Sequence, residues 1–139
     1  MSRAFVKEDA DGPEPERHIP SGPNYVTPRG LALIKAELAK ELPPRDRRYW
    51  QTRLLSAVLV DAAKQPPPDV RFGAAVRLDG PGGSARTLRI VGQDEAEEGG
   101  ELVAWDSVPA LALLGKKPGE RVTLAEGEPE LTVTSVEYR

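Results

Sequence analysis

Two runs of proline, Pro43-Pro44 and Pro66-Pro67-Pro68, decide where this chain can continue a regular element. Proline lacks a backbone donor and pushes the preceding residue out of the helical region, so no regular helix is expected through either run. The first run interrupts a helical pattern. Thr27 is a good N-cap, Pro28 suits the first helical position, and Leu31, Ile34, Leu38 and Leu42 follow at helical spacing. Beyond the break, the spacing predicts a second helix over about 45–63. Trp50, Leu54, Ala57, Val58 and Asp61 lie near one stripe, with Leu55, Leu59 and Ala62 beside it. Two helices joined across so short a break are expected to form an antiparallel hairpin with the Trp50 stripe as its core.

After the second run the period changes from helical to strand-like. Strands are expected over 70–78 and 86–91 around a turn at 79–84, then an acidic loop over 92–100 and a strand over 102–105. A short helix over 108–114, ended by Gly115, and a final hairpin of 121–125 with 131–138 complete the pattern. In the last strand Leu131 and Val133 share one parity and Val136 and Tyr138 the other, so a bulge is expected near Thr134-Ser135. Residues 8–23 are polar and broken by proline. The reading is α+β: a flexible tail over 1–23, a short helical hairpin over 24–65, and an antiparallel sheet domain with one short helix over 66–139.

Composition narrows the chemistry. There is no cysteine, which removes disulfides, thiolate catalysis and sulfur-ligated zinc. The one histidine, His18, lies in the Pro/Glu-rich stretch, away from any candidate site. No apolar run approaches the roughly 20 residues of a membrane helix. The start lacks a signal-peptide h-region, so a reducing cytoplasm is expected. The net charge of −3 divides into −2 over 1–23, +4 over 24–65 and −5 over 66–139. The basic middle suits an anionic partner or a solvated helix surface.

The order of short blocks resembles the Gre family of RNA polymerase-binding factors. Tyr25-Val26-Thr27-Pro28 with Gly30 and Leu31 is similar to the start of the family's long N-terminal helix. Phe72-Gly73-Ala74 with Val76 resembles the first strand of its C-terminal domain, and Arg89-Ile90-Val91-Gly92-Gln93-Asp94-Glu95 its second strand and acidic loop. Trp105-Asp106-Ser107 and Ala112-Leu113-Leu114-Gly115-Lys116-Lys117-Pro118-Gly119-Glu120 resemble its strand-to-helix segment and next turn. The resemblance implies an FKBP-like C-terminal domain docked on RNA polymerase, on the β′ subunit near the secondary channel. It also implies a coiled coil entering that channel, whose acidic tip helps place a magnesium ion and a water for RNA cleavage. The implied docking residues are Trp105, Asp106, Ser107, Val108, Pro109 and Leu111. Here the chain departs from the family's Ser-Pro and Ala-Arg-Ala-Leu-Leu run: proline is displaced by one position, and Leu111 stands where an arginine is usual, removing a multi-donor charge. Trp105 is read either as a buried interface anchor or as a core residue of the sheet.

A cleavage factor must deliver carboxylate oxygens to a hard cation. A first helix over 28–42 is roughly 22 Å long, about half the family's hairpin. The distal half, with its acidic tip, is expected to be missing. The remaining tip has Glu41, Arg45, Asp46, Arg47 and Arg48. Its acids are read as helix-end charges and surface ion pairs rather than a magnesium site. Asp94, Glu95, Glu97 and Glu98 lack calcium-loop spacing and are read as a solvated loop. The shortened hairpin is similar to the family's nucleoside diphosphate kinase regulator branch.

The resulting expectation is a monomeric, cytoplasmic regulator of transcription elongation. It would occupy the secondary-channel entrance without stimulating cleavage and compete with true Gre factors. The chain is read as not an enzyme, with no catalytic, cofactor or metal residues. An active cleavage factor is the alternative. A peptidyl-prolyl isomerase ranks last, since only Phe72, Trp105 and Tyr138 supply aromatics after Pro66. DNA-binding through Arg45, Arg47, Arg48 and Arg53 would be weak and non-specific.

Overall fold

A computed structural model describes residues 15–139. Strand β1 (Asn24–Val26) leads into helix α1 (Pro28–Leu38), and helix α2 (Pro44–Ser56) leads into strand β2 (Ala57–Leu59). β1 and β2 pair in parallel, Asn24 opposite Ala57 and Val26 opposite Leu59, so the two ends of the helical pair meet at its base. A 3₁₀ turn follows at Ala62–Lys64. The C-terminal half holds β3 (Ala74–Asp79), β4 (Ala85–Val91), β5 (Leu102–Ala104), helix α3 (Val108–Leu113), β6 (Arg121–Val122) and β7 (Leu131–Tyr138). These five strands form one sheet in the order β5-β4-β3-β7-β6.

The helices start as their sequence signals indicate. The Thr27 hydroxyl accepts from the Gly30 amide at 3.0 Å, and Pro28 occupies the first turn. α1 ends at Leu38, four residues short of the expected 42, where the Ala39 amide turns back onto the carbonyls of Lys35 and Ala36. α2 ends at Ser56, seven residues short of the expected 63. Asn24 stops it: its side-chain amide donates to the Arg53 carbonyl at 2.8 Å, capping a group the helix end leaves unpaired. The chain then turns extended and joins β1. Consequently Leu55, Val58 and Leu59 are exposed rather than part of a stripe, while Tyr49, Trp50 and Arg53 are buried. The helical core comprises Val26, Ile34, Tyr49 and Trp50, flanked by Leu31, Leu38, Leu42 and Leu54.

The C-terminal core lies between the sheet and α3: Val76, Leu78, Leu88, Ile90, Leu113 and Val133 are among its fully buried residues. The expected bulge is present. Arg77 faces Ser135 and Leu78 faces Val133, leaving Thr134 as the extra residue and shifting the parity of β7. The expectation of a wholly antiparallel sheet is corrected, because β5 runs parallel to β4, Arg89 opposite Leu102. The loop over 92–101 carries the chain back to the level of Arg89, so β5 enters in the same direction as β4. The first and fourth strands of this sheet in chain order also differ from expectation, β3 starting at Ala74 and β6 ending at Val122.

Of the stretch read as a tail over 1–23, residues 1–14, including Phe5 and Val6, lie outside the described residues. From Glu16 onward, side chains of this stretch meet α2, and Gly22 lies against the Trp105 ring.

Candidate functional site

The base of the helical pair meets the acidic loop and the strand-to-helix segment of the sheet unit, and Arg53 stands at the centre. Its side chain is 2% exposed and that of Asp94 is 8% exposed, with Nε donating to the Asp94 carboxylate at 2.6 Å. Nη2 donates to the side-chain oxygens of Asn24 at 2.7 Å and Gln93 at 3.0 Å. The Tyr49 hydroxyl donates to the other oxygen of Asp94. Burial, and then that bond to a carboxylate, push the Tyr49 phenol up to about 12. Beside this group, Thr27 donates to Glu95 at 2.5 Å.

The network extends to the implied docking segment. The Gln93 amide donates to the Asp106 carboxylate at 2.9 Å and to the Ser21 carbonyl at 3.0 Å. Gly92 makes the approach possible, since a Cβ there would stand 2.5 Å from the Tyr25 carbonyl oxygen. Tyr25 packs edge-on against Trp105 at 5.4 Å and tilted against Phe72 at 5.9 Å. Trp105 is therefore half-buried at the junction of the two units, and its indole nitrogen is buried with no hydrogen-bond partner among the described residues.

Two sequence expectations fail here. Asp94 and Glu95 are not a solvated loop; only Glu97 and Glu98 of that cluster are exposed. A run of acids gives no sign of which member is buried, because the partners Tyr49 and Arg53 lie more than forty residues away. Arg53 is likewise not available to phosphates.

The remaining docking residues form a surface. Ser107 caps α3, accepting from the Ala110 amide at 3.4 Å while its hydroxyl donates to the Ala104 carbonyl at 2.6 Å. α3 buries Ala110 and Leu113 and turns Val108 and Leu111 outward, 66% and 58% exposed. Pro109 lies between these faces, half-buried, and Asp106 is exposed. At the tip of the helical pair, Glu41 and Arg47 are exposed. Asp46 faces Arg45 at 3.2 Å and Arg17 at 3.5 Å, and Arg48 pairs with Glu16. Among the described residues, no group of three or more His, Cys, Asp or Glu side chains gathers in a metal-binding arrangement, and no helix is long and apolar enough to cross a membrane.

Residues 65–138 match the family model described as transcription elongation factor, GreA/GreB, C-term. The chain is 37% identical to transcription elongation factor GreB of Neisseria meningitidis serogroup B, over 83% of this chain and 94% of that protein. It is 40% identical to transcription elongation factor GreA of Alkalilimnicola ehrlichii, over 62% of this chain and 57% of that protein. The chain belongs to the GreA/GreB family of transcription elongation factors. Among solved structures, the transcription elongation factor GreA/GreB from Nitrosomonas europaea aligns at a TM-score of 0.47 with 20% identity, covering 85% of this chain and 100% of that one. The reading of the chain as not an enzyme is corrected: relatives named GreB and GreA do not mark it as plainly non-enzymatic.

Proposed function

We propose that this protein binds RNA polymerase at the entrance of the secondary channel. It occupies that entrance without stimulating transcript cleavage and competes there with longer Gre factors. The observation that carries this reading is the reach of the helical pair. α1 has 11 residues, about 16 Å of helix, and α2 has 13. The alignment with the Neisseria relative spans 153 positions, more than the 139 residues of this chain, so that relative has residues without counterparts here. The tip adds a second argument. Asp46 is engaged by two arginines, so its oxygens are poorly placed to serve a hard cation.

In this reading, residues 66–139 form the FKBP-like docking domain and 24–65 a truncated coiled-coil hairpin, with the tail before it. The exposed Val108 and Leu111 with Pro109, Asp106 and Ser107 meet the β′ subunit, and Trp105 supports them from behind. The protein acts as a monomer in the cytoplasm, where the polymerase works. Any contact of Arg47 and its neighbours with nucleic acid is weak and indirect.

The test uses stalled elongation complexes with backtracked, labelled RNA and magnesium. The full chain is expected to leave cleavage at its intrinsic rate and, in excess, to reduce the rate produced by a longer Gre factor. Leu111→Asp should remove that inhibition. The alternative, an active cleavage factor, is favoured by the 37% identity to a GreB protein. Cleavage above the intrinsic rate that is abolished by Glu41→Ala or Asp46→Ala would establish it and overturn the proposal.

A further inference from the structure

Along α2, residues 16–19 lie on a stripe formed by Arg45, Arg48, Tyr49 and Thr52, around a groove of about 200 Å³. These positions recur at helical spacing, so they share one face. The fork of Arg48 grips both carboxylate oxygens of Glu16: Nε donates to one, and Nη2 to the other at 2.8 Å. The next residue binds differently. The Arg17 guanidinium sits 3.9 Å from the centre of the Tyr49 ring and 5.6 Å from that of Trp50, while Nη1 reaches Asp46 at 3.5 Å. An acid followed by a cation therefore meets a fork followed by an aromatic platform with a carboxylate behind it.

The grip is built to exchange. The Glu16 and Arg48 side chains are 59% and 56% exposed, and pairs so open to water contribute little. No backbone hydrogen bond among the described residues ties 15–20 to α2. Pro15 and Pro20 flank the segment and favour an extended chain. Meanwhile Arg48 keeps the Glu16 carboxyl below the usual carboxylate range, so Glu16 stays ionised at neutral pH.

We propose that this stripe of α2 is a docking surface for an extended acidic segment of a partner protein, an acid followed by arginine or lysine, and that residues 16–19 cover it in cis. This goes beyond the proposed role at the polymerase entrance and does not depend on it. A peptide ligand is favoured over a nucleic-acid backbone because the occupant is a carboxylate beside a cation. The Asp46 carboxylate behind the platform attracts that cation and repels phosphate.

The test uses the full chain and a fluorescein-labelled synthetic peptide, Gly-Pro-Glu-Pro-Glu-Arg-His-Ile-Pro, read by fluorescence anisotropy. A cis segment acts as a competitor at high effective concentration, so opening it should raise peptide affinity about tenfold. The opened chains are Glu16→Lys/Arg17→Glu and, independently, Glu16→Ala/Arg17→Ala. Far-UV circular dichroism confirms that each is folded. Adding Arg48→Glu to either should abolish the gain. Equal affinity for the wild type and both opened chains overturns the proposal, as does binding indifferent to Arg48→Glu. A labelled oligothymidylate that binds the opened chains through Arg48, where the peptide does not, would also overturn it by making the stripe a phosphate surface.

Discussion

Burying an arginine until 1% of its surface is exposed is costly unless a counter-charge and acceptors are buried with it. Asp94, Asn24 and Gln93 provide them for Arg53. Removing one partner strands the other, so Arg53→Met or Asp94→Ala is expected to lower stability by about 3–5 kcal/mol, read from urea denaturation. The double variant Arg53→Met/Asp94→Ala should cost clearly less than the two singles together. Simple additivity would show that the pair is not coupled. Tyr49 gives a separate readout. Its folded pKa of about 12 lies above the ordinary tyrosine value near 10, because burial and the Asp94 carboxylate favour the neutral phenol. The contribution of that phenol is therefore full below pH 10 and is lost as pH rises from 10 towards 12. Stability should fall with pH across this window, and less steeply in Tyr49→Phe. Tyr138, also pushed up by burial, adds to the slope in both chains. Identical slopes would remove Tyr49 from the account. The sequence shows Arg53 and Asp94 only as two of many charges; pairing at such separation has no local signature.

The elements divide into those set by local chemistry and those set by a distant partner. Thr27-Pro28 and Gly115 mark the helix boundaries they were expected to mark, and the parity change in β7 announces its bulge, whereas α1 stops at Leu38, ahead of Pro43-Pro44. The end of α2 depends on Asn24, which arrives from before α1 and is not visible in the 45–63 window. β2 exists because β1 offers it a ladder, and the parallel direction of β5 comes from the path of the 92–101 loop rather than its composition. That loop also touches β1 through Gly92, where backbone meets backbone. Gly92→Ala must move the Tyr25 carbonyl, and overpacking of this kind costs about 1–3 kcal/mol. A thermal melt should show the loss. A melting temperature equal to wild type would mean that β1 and the loop separate easily. The exposed Leu55, by contrast, buries nothing, and Leu55→Gln should leave the melt within about 0.5 kcal/mol of wild type.

At the scale of the whole molecule, two small cores share one chain: the helical core around Trp50 and Ile34 and the sheet core around Ile90 and Val133. Neither the proline run at 66–68 nor the sequence periodicity says how they are joined. The join comes from side chains: Arg53 to Asp94, Thr27 to Glu95, and Tyr25 between Phe72 and Trp105. If those contacts weld the cores into one cooperative unit, the slowest amides of α1 and α2 should exchange with the same free energy as those of β3, β4 and β7. Native-state hydrogen exchange measures this directly. Asp94→Ala should then split the molecule. It strands the Arg53 charge at the base of the helical pair and leaves the sheet core intact, so the α1 and α2 amides should open at lower free energy while those of β3 and β7 change little. The direction of the split matters. Loss confined to the helical amides would place the cost on the side that holds Arg53, whereas an equal drop in both sets would mean that the molecule still opens only as a whole. Separate exchange classes already present in the wild type would show that the buried pair orients the helical unit without making its folding cooperative with the sheet.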